Sequence, residues 1–392
     1  MPNLRRGMMA AAGAAGGGIV GYALWGWGQG ESGILGNGAA QYYNCDPIQI
    51  GSETYWLGRD PEDIRKVKLA VAYSTGTITN EGKLYTWGSN EEGRLGNGDT
   101  TKTCSPGQVG SLEDWGNIAG CGEAYVSVKT DGTLWAWGYG RDGTLGQGED
   151  TSSVCSPIQI GSLTDWDRVY GSGNSCLSIK TDGTLWAWGR NATGQLGTGD
   201  IEHPNNKYTS PVQIGSLTNW DSISVGGQNT AAVKTDGTLW GWGQGENGDL
   251  GKGNTTDYSS PVQIGSLTDW SQTATPYGST TIGGGMAVKT DGTLWGWGTN
   301  GQGQIGVGNT TTYSSPVQIG SLTDWKLVVV NQQASYAIKT DGTVWFWGSG
   351  LHGTGAGDTT DYSSPVQIGT DTSWQQIGSS GSGQRTCFAM KN

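Results

Sequence analysis

The segment Ala231-Ala-Val-Lys-Thr-Asp-Gly-Thr-Leu-Trp-Gly-Trp242 reads as a β-hairpin. Two alternating stretches flank Asp236-Gly237, and Asp-Gly in that setting predicts a two-residue turn with φ > 0 at both positions. The same turn recurs at Asp131, Asp182, Asp291 and Asp341. Such a hairpin is followed by a Gly/Asn-rich loop, for example Gly298-Thr-Asn-Gly-Gln-Gly-Gln-Ile-Gly306. Then come a short Pro-Val-Gln-Ile strand, an Asp-Trp turn and another short segment such as Asp221-Ser-Ile-Ser-Val225. Four short strands in about 50 residues make the unit of a β-propeller blade.

The unit repeats through the 392 residues. Leu-Trp-x-Trp-Gly, or a close variant, begins at Leu24, Leu84, Leu134, Leu185, Leu239, Leu294 and Val344, with spacings of 60, 50, 51, 54, 55 and 50. Pro-x-Gln follows in each copy, at Pro47, Pro106, Pro157, Pro211, Pro261, Pro316 and Pro365. Gly-Ser-Leu-Thr-Asp-Trp is intact from Gly161, Gly265 and Gly320 and altered from Gly51, Gly110, Gly215 and Gly369. Seven repeats with three Trp slots give 21 positions; Tyr85 takes one and the 20 Trp of the chain take the rest. Each indole buries roughly 150–250 Å², so this Trp set pays for much of the order that 72 glycines cost.

The string Lys289-Thr-Asp-Gly-Thr-Leu-Trp-Gly-Trp-Gly298, then Gly303-Gln-Ile-Gly306, then Ser314-Ser-Pro-Val-Gln-Ile-Gly320, resembles the repeats of the regulator-of-chromosome-condensation family. The resemblance runs over residues 21–392. It implies an all-β, seven-bladed β-propeller of four-stranded antiparallel blades. The chain starts and stops in mid-repeat. Residues 22–28 and 47–50 supply only third and fourth strands, while 375–378 and 387–392 supply only first and second ones. Pairing of 388–391 with 23–27 in one blade would close the ring and leave no open edge.

Residues outside the core pattern carry little chemistry. Three loops match GxGxxG, at 28–33, 138–143 and 243–248, but none leads into the helix that a dinucleotide phosphate needs. The two histidines, His203 and His352, stand near no nucleophile motif, so no catalytic residue, cofactor or metal is expected. Lys129, Lys180, Lys234, Lys289 and Lys339 read as solvated strand-end charges, and Asp114, Asp165, Asp269 and Asp324 as turn caps. The six Cys read as small buried thiols; Cys45, Cys104 and Cys155 recur at one repeat position, too far apart on neighbouring blades for disulfides. Asn191, Asn254 and Asn309 begin glycosylation-type triplets. A net charge of −12 repels phosphate backbones, which argues against nucleic acid, and no segment is long and apolar enough to span a membrane.

The expected partners are therefore other proteins. Residues 1–20 read as an Ala/Gly-rich arm bearing Arg5 and Arg6, separate from the propeller at 21–392. Three insertions break the repeat. About nine extra residues fall within 57–66 (Arg59, Glu62, Asp63), about four within 201–208 (Glu202, His203, Asn205, Tyr208) and about five within 272–284 (Tyr277). The near-identical blades look like repeat proteins of environmental bacteria and their phages. The expectation is a non-enzymatic virion component, a capsid or tail decoration whose arm docks on virion proteins, with a host-surface ligand as a further partner. The alternative is a secreted bacterial propeller that binds a protein or glycan, as inhibitor or adhesin. The family resemblance also raises exchange on a small GTPase. Many family repeats carry a His after the first strand's Gly, and the corresponding places here hold Tyr125, Ser175, Asn229 and Arg385.

Overall fold

A computed structural model describes residues 21–57, 59, 66–148, 152–201, 206–277, 284–351, 353–379 and 386–391. Seven antiparallel sheets form the blades. Blade 1 joins the two ends of the chain, in the order Tyr43–Gln49, Ala23–Gln29, Thr386–Lys391, Trp374–Ser379. Its seam runs in unbroken register from Ala23↔Lys391 to Gly28↔Thr386, the pairing expected from the half-repeats. Blade 3 shows the standard unit: inner strand Trp115–Cys121, then Ala124–Lys129, Leu134–Gly138 and outer strand Val154–Gln159. The innermost strands of all seven blades line a central channel. Blade 2 departs from the unit, because its inner strand is split into Trp56–Leu57 and Leu69–Val71, both paired to Ser74–Thr79.

The second Trp of each Trp-x-Trp pair fills the gap between blades. Trp27, Trp87, Trp137, Trp188, Trp242 and Trp347 are fully buried, and Trp297 nearly so. In five blades the indole N–H also bridges backward: Trp137 Nε1, for example, donates to the Arg94 carbonyl of the preceding blade at 3.0 Å. Glycine permits this approach. A Cβ on Gly96 would stand 2.9 Å from the Trp137 ring.

The Asp-Gly turns differ from the two-residue form expected. Gly132 has φ +80°, but Asp131 is not in the left-handed region. Gly132 N–H donates to the Lys129 carbonyl, and Lys129 N–H to the Thr133 carbonyl, both at 3.0 Å. This is a three-residue loop, a β-turn closed by one left-handed glycine. The extra residue lets the Asp131 carboxylate accept from Thr133 N–H (2.9 Å) and Thr133 Oγ1 (2.6 Å). Thr133 Oγ1 in turn accepts from Trp135 Nε1 at 2.8 Å. Blades 3 to 7 all carry this relay.

Candidate functional site

Antiparallel strands put two kinds of connection on each face of the ring. The Asp-Gly turns and the Gly-Ser-Leu-Thr-Asp-Trp loops share one side, the turn face; the Gly-rich loops and inner-strand turns share the other, the loop face.

On the turn face the recurrent lysines are not solvated. Lys129, Lys180, Lys234, Lys289 and Lys339 are only 3% to 8% exposed. Each ammonium lies between two indoles. Lys180 Nζ, for example, is 4.7 Å from the Trp166 ring centroid and 4.4 Å from that of Trp186. The aspartate preceding the inner-strand Trp is its counter-ion, at 3.3 Å for Lys129–Asp114, 3.2 Å for Lys180–Asp165, 3.3 Å for Lys289–Asp269 and 3.5 Å for Lys339–Asp324. Those aspartates thus serve as ion-pair partners, and their backbone carbonyls tie the turn, as when Thr130 N–H donates to the Asp114 carbonyl at 2.8 Å. Lys391 sits in the same slot at the seam, 2.5 Å from Asp371, and its hydrogen bond, with that of Ser373, holds the Asp371 carboxyl down to about 2. Blade 5 lacks the carboxylate, since Asn219 replaces it; there the ammonium moves to 3.6 Å from the Trp240 centroid, and burial lowers the Lys234 pKa. In blade 2, Tyr55 and Tyr85 occupy the equivalent space, their ring centroids 6.0 Å apart.

Outside this clamp the turn face presents leucines. Leu112, Leu163, Leu217, Leu267 and Leu322 occupy one loop slot on five successive blades and are 44% to 47% exposed. The two loops that enter and leave blade 1 carry Asp371 and Glu53 instead. The aspartates of the five turns are also exposed. Hydrogen bonds from the Thr two residues on hold Asp131, Asp182, Asp291 and Asp341 below the usual carboxylate range. At Asp236 burial acts upward, but the Thr238 bonds override it. All five are ionised at neutral pH.

The base of the first insertion lines the channel toward this same face. Arg59 N–H donates to Gln376 Oε1 (2.6 Å), and Gln376 Nε2 donates to the Arg59 carbonyl (3.1 Å). Arg59 bridges Val67, whose carbonyl accepts from Asn117 Nδ2 at 2.8 Å, while Lys66 pairs with Asp167 at 3.0 Å. Arg59 lines the channel, a space of about 170 Å³, and burial lowers its guanidinium pKa. The amides at this level satisfy inner-strand edges that face no further strand: Gln272 exchanges both hydrogen bonds with Val328, at 2.7 and 3.1 Å. Arg168 Nη1 donates to the Asp221 carbonyl in the same manner. Residue 21 and Lys391 also lie at the turn face, since Tyr22 and Trp56 exchange backbone hydrogen bonds (3.0 and 3.2 Å) where a turn stands in other blades.

The remaining sequence candidates scatter. Tyr277 lies on the loop face, its ring 3.2 Å from where a Cβ on Gly173 would stand. Nearby Tyr73 is pushed up by burial, then by Tyr277 and Glu123, while Arg94 stacks on it at 5.4 Å and pairs with Glu123 at 3.3 Å. Tyr208, on an outer strand, donates to Asp200 Oδ2 at 2.9 Å. Arg59, Tyr208 and Tyr277 therefore do not share a site. Arg5, Arg6, Glu62, Asp63, Glu202, His203 and Asn205 lie outside the described residues, as does His352. Cys121, Cys176 and Cys387 are buried, whereas Cys45, Cys104 and Cys155 are partly exposed on outer strands, contrary to the expectation that all six are buried. Asn191 is fully buried and bonded to Thr198 and the Asp200 carbonyl, which removes it as a glycosylation acceptor. Among the described residues no group of three His, Cys, Asp or Glu could hold a metal ion, and no helix is long and apolar enough to cross a membrane. The leucines were missed, although their signal, an apolar residue recurring in a loop motif, was in plain view.

Comparison with known proteins gives one consistent picture. The family model described as the regulator of chromosome condensation (RCC1) repeat matches residues 81–125, 131–178, 182–233, 236–276 and 291–338. The Arabidopsis thaliana ultraviolet-B receptor UVR8 is 29% identical over 324 residues, covering 69% of this chain and 73% of the receptor. Human WBSCR16 superposes with a TM-score of 0.79 at 17% identity, over 95% of this chain and 99% of its own. Yeast RCC1 (Prp20), in its structure bound to Kap60, superposes with a TM-score of 0.77 at 18% identity, over 95% of this chain and 90% of its own.

Proposed function

Because the chain belongs to the regulator of chromosome condensation (RCC1) repeat family, we propose that it is a non-enzymatic propeller that binds other proteins, with the turn face as its docking side. The observation that carries this reading is the row of five half-exposed leucines on successive blades. Isolated surface leucines need no explanation; a leucine repeated in one slot on five successive blades supports reading this face as an interaction surface. That face also holds residue 21 and the base of the 57–66 insertion at Arg59 and Val67. Yeast RCC1, which shares this fold, is a protein with a bound protein partner, Kap60.

The finer reading is a phage virion component, located on the particle and anchored by residues 1–20, the propeller decorating capsid or tail. The near-identical blades and the basic Ala/Gly arm support it. Sedimentation of particles made with the full chain and with residues 1–20 deleted tests it. The full chain should travel with particles and the truncated one should stay at the top. A full chain that never enters particles removes the virion assignment, and a truncated chain that still enters them removes the role of the arm.

A further inference from the structure

The turn face has more than apolar character: its charge is one-sided at the surface, though not in composition. Each of blades 3 to 7 carries one turn aspartate and one clamp lysine. The aspartates Asp131, Asp182, Asp236, Asp291 and Asp341 are exposed and held ionised by their Thr neighbours. The lysines are roofed by indoles at 3% to 8% exposure. A cation sandwiched between rings is committed to them and, in blades 3, 4, 6 and 7, to its own aspartate, so it offers little to a ligand. What an approaching molecule meets is therefore leucine and carboxylate. The order is fixed by contacts. The turn of each blade packs on the loop leaving that blade: a Cβ on Gly132 would stand 2.1 Å from the Thr164 carbonyl, and one on Gly183 the same distance from that of Thr218. Leu163 thus stands between the Asp131 and Asp182 turns, and Leu217 between those of Asp182 and Asp236. At the seam the leucine slot itself turns acidic, with Glu53 and Asp371.

We infer that this crescent takes a cationic, amphipathic protein segment, whose apolar side chains cover the leucines while its Lys or Arg groups pair with the turn aspartates. Charge complementarity selects this occupant. A second copy of this chain, at net charge −12, would bring like charge to like, and an uncharged apolar segment would desolvate the aspartates without pairing them. The inference rests on the docking face proposed above and adds the partner's chemistry.

The probe is a labelled synthetic helix with Leu on one side and Lys on the other, compared with the same helix carrying Glu for Lys. Fluorescence anisotropy with the full chain reads affinity at low and high salt. The variants are Leu163→Ser/Leu217→Ser/Leu267→Ser and Asp182→Asn/Asp236→Asn/Asp291→Asn; Asn keeps the acceptor that caps the turn, and near-ultraviolet dichroism of the Trp set verifies the fold. Ile201→Ser, on the loop face, is the control. The Lys helix should bind at least about ten-fold tighter than the Glu helix, and each triple variant should lose about ten-fold or more. The aspartate variant should also flatten the salt dependence. If the leucine variant weakens binding while the aspartate variant does not and the Glu helix binds equally, the cationic partner is refuted and the docking face survives. If the leucine variant binds like the wild type, both readings fall.

Discussion

Asn219→Asp should stabilise the protein, which is an unusual expectation for a new buried-side charge. Blade 5 is a natural control for the clamp: it keeps Lys234, Trp220 and Trp240 but has Asn219 where blades 3, 4, 6 and 7 have aspartate. In those four blades the carboxylate lies 3.2 to 3.5 Å from the ammonium. Without it, Lys234 lies closer to one ring, at 3.6 Å, and burial depresses its pKa. Restoring the carboxylate adds one pair whose acidic side is half exposed, worth about 0.5–1 kcal/mol at low salt. It replaces the long Asn219–Asp236 hydrogen bond of 3.4 Å with a carboxylate facing a carboxylate, and blades 3, 4, 6 and 7 carry the same pair of acidic residues. The assay is a double-mutant cycle of Asn219→Asp with Lys234→Met, read from denaturant midpoints at low and high salt. A coupling of about 0.5–1 kcal/mol that shrinks with salt supports the clamp. If Asn219→Asp destabilises equally with and without Lys234, the ion-pair reasoning is wrong.

Asp249 is buried against Thr299, and burial raises its carboxyl to about 7. A raised acid costs no stability below about pH 3, where it is protonated in both states; the cost grows as pH rises from the unfolded value near 4 to the folded value near 7, and is constant above that. Asp249→Asn should therefore add at most about 4 kcal/mol to the unfolding free energy at pH 8, read from denaturant midpoints, and change little at pH 3. Gly132→Ala places a Cβ against the Thr164 carbonyl at φ +80° and should cost more than about 1 kcal/mol, measured by thermal denaturation. Deleting residues 387–392 removes the strand that pairs on both sides in blade 1, and calorimetry should show the whole transition lost or lowered, not a small separate one.

The ring was legible because its determinants are local and repeated. The Trp-x-Trp spacing, the Asp-Gly turns and the half-repeats at the ends each report a neighbour within one unit, and the seam followed from adding the halves. The lysines were misjudged for the opposite reason. Lys180 ends a strand, which in isolation means solvent, and only the across-strand Trp166 and Trp186 make it buried. The turn was one residue longer than Asp-Gly alone predicts, since the Asp131 side chain bonds forward to Thr133. The split inner strand of blade 2 could be seen as extra length at 57–66, but not that its base would bond to the inner strands on both sides, because Gln376 and Asn117 come from blades far apart in sequence. The leucines were visible in the motif and carried no signal of exposure until the loops were placed.

Ring closure by shared strands underlies everything else, and amide hydrogen exchange tests it most directly. Peptides covering residues 23–29 and 386–391 should exchange as slowly as 229–234 and 239–243 in blade 5, all opening only with global unfolding. Exchange at 386–391 orders of magnitude sooner than in blade 5 would show that the two chain ends do not build one sheet, and would contradict the account.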